Sequence, residues 1–259
     1  MLAIALVNPG TTNIHGDGYY TYLWARSIVF DQDLDFEEDY ALCGDPWGML
    51  HMAHGDAWNQ WNPGPSLFWI PILVWDRVTG HPALEEGSAR ERVACVGPVA
   101  ERAVRGSIVA GLLTFLLSYL SARRRFAEGP ALFGAFVATF FSPLPFYAAL
   151  LLSYGHAASA CTAGFVVWLW DRERAHLATP PRAGLRWLAL GAAIGVAMLV
   201  RPQNAILAIL PLFTWLSAAR RMASAAEGRT LAGHVALGVA FSLAAVAVFS
   251  PQLWFWYSH

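Results

Sequence analysis

"GSIVAGLLTFLLSYLSARRR", residues 106–125, decides the fold. No charge interrupts the run from Gly106 to Ala122, and three arginines follow at once, Arg123 to Arg125. A bilayer core is crossed by roughly 20 apolar residues in a helix, and arginine collects at the cytoplasmic end of such helices. The stretch therefore reads as a membrane span running from outside to inside.

Working outward, 150–170, 185–200 and 230–250 are apolar runs of the same kind. Two more, 130–149 and 203–219, are broken by Pro143, Pro145 and Pro211. Neighbouring helices satisfy the carbonyls that a membrane proline frees, so both still count. About six spans follow from length alone. Arginines recur at 171–182 and 218–229, in every second loop, so these loops face the cytoplasm. By alternation, 142–149, 201–204 and 251–259 face outside, together with everything from residue 9 to 105. The short run 65–78 carries Pro71 and ends in Asp76–Arg77. It reads as a helix lying along the outer surface, with Trp69 and Trp75 at headgroup depth. The alternative is a further short span.

Composition agrees with a polytopic membrane protein. Of 259 residues, 56% are hydrophobic and 14% charged, and the mean hydropathy is +0.42. Soluble domains carry nearer 25% charge, by the usual average. The net charge of −1 says nothing of partners, and every basic residue is arginine. Without a basic stripe or a recognition motif, nucleic-acid binding has no support. Cys43, Cys95 and Cys161 lack metal-ligand spacing, and no disulfide framework is expected of three cysteines. Residues 1–8, "MLAIALVN", lack the charged start and cleavage site of a signal peptide. They read as the end of a truncated first transmembrane helix, and both chain ends are expected to be cuts in a longer protein. The division expected is 1–8, an outer loop over 9–105 and a membrane bundle over 106–259.

The unusual polar groups fall on the outer side. Asp17 stands between Gly16 and Gly18, at a corner where glycine permits an unusual backbone turn. Asp-Gly is also a common turn pair in its own right. "YYTYLWARSIVF" (19–30) has the period of an amphipathic helix. "DQDLDFEEDY" (31–40) contains D-x-D, as any acidic run does, and reads first as a solvated loop. His51, His54 and Asp56 in "HMAHGD" could ligate zinc, but a secure third ligand is lacking and a loop is the simpler reading. His156 lies at the outer end of an apolar run, where an ionisable group marks a functional site or bonds a neighbouring helix. In "LVRPQN" (199–204), Arg201 either snorkels to the interface or holds an anion.

Taken together, "GDGYYTYLWARSIVFDQDLDF", "NPGPSLFWIPIL", "SPLPFYAALLLSYGHAASA", "LVRPQNAILAILPL" and "SPQLWFW" resemble bacterial GT-C membrane glycosyltransferases. The resemblance is to the group holding protein mannosyltransferases and aminoarabinose transferases. It rests on the order of the motifs and their membrane side. It implies an all-α polytopic bundle with amphipathic helices in a large first outer loop. It also implies a polyprenyl-phosphate-linked sugar donor, and a lipid, glycan or protein acceptor at the outer face of a bacterial inner membrane. A carboxylate just after the first helix is the family's catalytic acid/base residue, a position matched by Asp17. The family often has Glu next to it, where this chain has Gly18. Arg201 would hold the donor phosphate, with His156 a second candidate and Gln203 and Asn204 beside it. Tyr19 and Tyr20 would offer flat faces to sugar rings. The resemblance names no certain cofactor and leaves a divalent metal open. Two rivals stand beside this reading. One is a transporter, which the lack of an inverted repeat disfavours. The other is an inactive relative that only binds lipid.

Overall fold

The computed structural model describes residues 14, 16–49, 59–80, 95, 97–177, 182–224 and 228–258. Residues 1–8, His51, His54 and Asp56 lie outside these. Every regular element among the described residues is helical. Four helices are long and apolar enough to cross a membrane: Pro98–Arg123, Ala183–Val200, Pro202–Arg220 and Ala232–Ser258. The protein is thus an all-α, multi-pass membrane protein.

The remaining two apolar runs fold differently from expectation. The prolines divide 130–149 into α6 (Glu128–Phe140) and α7 (Leu144–Ala149). The run 150–170 starts late, because Leu150 to Gly155 form a turn and α8 covers His156–Glu173. Hydropathy cannot see this break, since the turn is as apolar as the helix that follows.

Helix packing relies on small residues, as expected where lipid gives no hydrophobic drive. In α9 (Ala183–Val200), a Cβ on Gly191 would lie 2.2 Å from the Phe241 carbonyl oxygen. One on Gly195 would lie 2.7 Å from that of Ala245. Only glycine lets α9 and α11 (Gly228–Ser258) approach so closely. Helices α5 (Gly106–Arg123), α6 and α8 pack together beside this pair.

At one end of the bundle sits a dense layer built from the segment before Gly106, the expected outer loop. Its elements are α1 (Asp17–Arg26), which continues as a π turn over Ser27–Asp31, and α2 (Phe36–Cys43). A 3₁₀ turn (Gly64–Phe68), α3 (Ile70–Thr79) and α4 (Pro98–Val104) complete it. Four expectations are corrected here. First, α1 is not amphipathic, because Gly18 to Arg26 are all buried between two apolar clusters. Second, Trp69 does not face the surroundings of the protein as an interfacial anchor would. It is fully buried and donates from Nε1 to Ser107 Oγ at 3.1 Å, while Trp75 is exposed.

Third, the acidic run is more structure than solvated loop. Asp35 caps α2 by accepting from the Glu37 amide at 2.9 Å, and Asp33 accepts from Ser27 Oγ at 3.1 Å. Asp39 is buried and bonded to the equally buried Arg26, which also holds Asp31. Two carboxylates thus share one guanidinium, and the second Asp39 oxygen has no partner. Burial accordingly pushes the Asp39 carboxyl up to about 7, against the pull of Arg26. Fourth, Cys43 and Cys95 form a disulfide, with Cα atoms 5.2 Å apart, tying the end of α2 to the residues before α4.

Candidate functional site

Four chain segments meet at the junction of outer layer and bundle, and glycine makes each approach possible. Gly16 has φ +61°, and a Cβ there would come within 2.9 Å of the Tyr154 hydroxyl. On Gly18 a Cβ would fall 2.7 Å from the Ser153 carbonyl oxygen. One on Gly64 would fall 2.2 Å from the Val200 nitrogen, and one on Gly155 2.7 Å from Pro65 Cγ. The start of α1, the 3₁₀ turn, the turn before α8 and the end of α9 are therefore in backbone contact.

Between them lies a polar cavity of about 200 Å³. Asp17, Thr21, Trp61, Asn62, Arg201 and Gln203 are on its walls. Asp17 opens α1, and its carbonyl accepts from Thr21 Oγ1 at 2.9 Å. Ser66 then donates to the Thr21 carbonyl at 2.9 Å, fastening α1 to the 3₁₀ turn.

Arg201 is placed by the end of α9. Pro202 disfavours helical geometry in the residue before it, and Arg201 is extended, with φ −153° and ψ 122°. Asn204 secures this turn. Its backbone N–H donates to the Arg201 carbonyl at 2.9 Å, while its side-chain amide donates to the Ala197 carbonyl at 2.9 Å and to Ser159 Oγ at 3.1 Å. The Arg201 guanidinium lies 3.1 Å from His156 Nε2. A guanidinium only donates, so Nε2 accepts and the imidazole carries its proton on Nδ1. Tyr147 stacks on the imidazole, its ring centroid 3.9 Å from that of His156 at 27°.

Of the residues singled out from sequence, Asp17, Arg201 and Gln203 come together on the cavity wall, and His156 stands behind Arg201. Asn204 supports the turn. Tyr19 and Tyr20 are placed elsewhere, buried in the aromatic cluster of the outer layer. Tyr19 donates to the Gly44 carbonyl at 2.6 Å and Tyr20 to Asp45 at 2.9 Å. Burial raises both phenols, Tyr20 to about 12, so they remain donors. The aromatic face at the cavity is instead Trp61, on which Tyr20 stacks at 4.4 Å. Trp61, Asn62, Thr21 and Tyr147 were missed. "NQWNPGP" (59–65), a polar-aromatic stretch before a Pro-Gly turn on the outer side, was the available signal for the first two. Among the described residues, no three His, Cys, Asp or Glu gather as metal ligands.

A family model described as dolichyl-phosphate-mannose-protein mannosyltransferase matches residues 93–255. That stretch includes His156 and Arg201, and it begins after the segment carrying Asp17. No curated protein and no solved structure matches the chain.

Proposed function

The chain belongs to the dolichyl-phosphate-mannose-protein mannosyltransferase family, glycosyltransferases of the GT-C type, and on that premise we propose its reaction. A sugar passes from a polyprenyl-phosphate donor to an acceptor hydroxyl at the outer face of a bacterial inner membrane. The observation that carries this reading is that a carboxylate, Asp17, and a guanidinium, Arg201, face one small cavity at the top of the bundle.

Each group has a separate task. The acceptor O–H gives its proton to the Asp17 carboxylate as its oxygen attacks the anomeric carbon. The bond from that carbon to the phosphate oxygen breaks on the opposite side, so configuration inverts. The departing polyprenyl phosphate keeps the electron pair, and Arg201 receives the charge, since a guanidinium pairs bidentately with phosphate oxygens. His156 and Asn204 aim Arg201, and Trp61 offers the flat apolar face that sugar rings favour.

In this reading the segment to about residue 105 lies outside and 106–259 forms the bundle. The disulfide supports that placement, because such bonds form in oxidising compartments. The test is transfer of labelled sugar from a synthetic polyprenyl-phosphate donor, using membranes containing the protein. Product that depends on the protein and carries the inverted linkage is expected. Folded protein that transfers from a nucleotide sugar but not from the lipid donor would overturn the donor assignment.

A further inference from the structure

Helix α8 begins at the cavity with His156 and ends at Glu173, about 27 Å away at the helical rise. Its far end is bonded through Asp171 to Arg124, which directly follows the membrane-crossing helix Pro98–Arg123, so it lies at the opposite surface. There the stretches 121–128 and 171–186 place seven arginines against three carboxylates, Glu128, Asp171 and Glu173. Asp171 is the hub. It is 4% exposed, and the guanidiniums of Arg124, Arg125 and Arg174 all converge on it, Arg124 Nε at 3.0 Å and Arg174 Nε at 3.2 Å. One buried carboxylate neutralises one of them and orients all three, while the outer parts of their side chains stay about half exposed.

Two further observations tell what this fan faces. Leu116 and Leu120 on α5 and Arg124 at its C-cap are four residues apart and so share one face, with both leucines exposed. On α8, the exposed Phe165 is followed by Trp168 and Arg172 at helical spacing, the Arg172 guanidinium lying 5.3 Å from the Trp168 ring centre. Arg174 sits likewise 5.4 Å from Trp170. Each helix thus carries an apolar outward stripe that ends in a guanidinium. This matches a molecule with hydrocarbon below and an anion on top.

We propose that the arginine fan around Asp171 binds the phosphate headgroup of an anionic phospholipid in the leaflet opposite the cavity, with its acyl chains along the stripes of α5 and α8. The proposal stands apart from the transfer reaction. Excess positive charge beside aromatic side chains is what recruits such lipids.

The experiment measures binding of phosphatidylglycerol to the full chain in an uncharged detergent, by native mass spectrometry and by the lipid-induced rise in melting temperature. Arg124→Gln with Arg174→Gln leaves the Asp171–Arg125 pair in place. Affinity in this variant should fall about thirtyfold, two surface arginines at the usual worth of each. Lysine at both positions keeps the charge and should keep most of the binding, which separates charge from folding. Phosphatidylcholine and inorganic phosphate should each give little response. An unchanged response in the glutamine pair would overturn the proposal. So would phosphatidylcholine matching phosphatidylglycerol, or inorganic phosphate reproducing the effect, which would make the site one for a free anion.

Discussion

Arg201 and His156 form a cation–imidazole contact at 3.1 Å in which the imidazole is the acceptor. The contact joins the end of α9 to α8, so the arm proposed to hold the donor phosphate is aimed by a helix other than its own. His156→Ala removes that acceptor and should raise the KM for donor about tenfold or more, the worth of a hydrogen bond to a charged group being about 1.5–3 kcal/mol. His156→Gln, whose amide oxygen can still accept, should recover part of it. Steady-state kinetics with varied donor check this. Equal losses in both variants, confined to kcat, would instead place His156 at the chemical step.

Asp17→Asn keeps shape and loses the proton acceptor. Transfer should fall at least about a hundredfold, the low end for loss of a general base. Asp35→Asn is the fitting comparison, because Asn caps a helix as well as Asp and α2 should stay formed. Its rate should be near that of the parent when equal amounts of folded protein are assayed. A dead Asp35→Asn beside an active Asp17→Asn would move the chemistry into the acidic run.

Gly64→Ala drives a methyl group into the Val200 backbone, which has no side-chain rotamer to yield. Overpacking of this kind costs about 1–3 kcal/mol and here also shifts Arg201, one residue on. A lower melting temperature together with weaker donor binding is expected. Gly129→Ala, on α6 with open space around it, should be neutral or stabilising by roughly 0.5–1 kcal/mol.

Asp39 supplies a pH test. Its carboxyl is raised from 3.8 to about 7 in the folded protein, so the folded state holds this proton more tightly than the unfolded chain. Its contribution to stability is therefore lost as pH rises from about 4 to about 7, and is constant beyond. Asp39→Asn removes the titration, and Arg26 keeps Asp31. The difference in stability between parent and variant, measured by denaturation in detergent across that window, should move in the variant's favour with rising pH. A flat difference would mean that Arg26 holds Asp39 ionised throughout.

The spans around Gly106, Ala183 and Ala232 were legible because hydropathy is a local property that the bilayer reads directly. Asp17, Arg201 and His156 stand out in the sequence for the related reason that polar groups at helix ends are conspicuous in an apolar chain, and the structure brings Asp17 and Arg201 to one cavity. What escaped depends on contacts distant in sequence. Tyr19 and Tyr20 look like a sugar platform until Gly44 and Asp45 claim their hydroxyls. Trp61 gains its place only because Tyr20 stacks behind it. The Asp35 cap and the burial of Asp39 turn a charge run into framework, and no composition rule separates these cases. The pairing of Cys43 with Cys95 is likewise a fact of the tertiary fold.

That pairing also ties two early parts of the chain to each other. Both cysteines precede Pro98–Arg123, the first of the four helices suited to span the membrane. The tie itself lies wholly before that helix, while α4 and Ser107, which complete the layer's core, follow the tie in the chain. Phe255, near the end of α11, packs against Trp24 and Phe36 of the same layer, at 4.7 Å and 5.9 Å between ring centres. A covalently tied early segment is thus the surface against which the end of α11 rests.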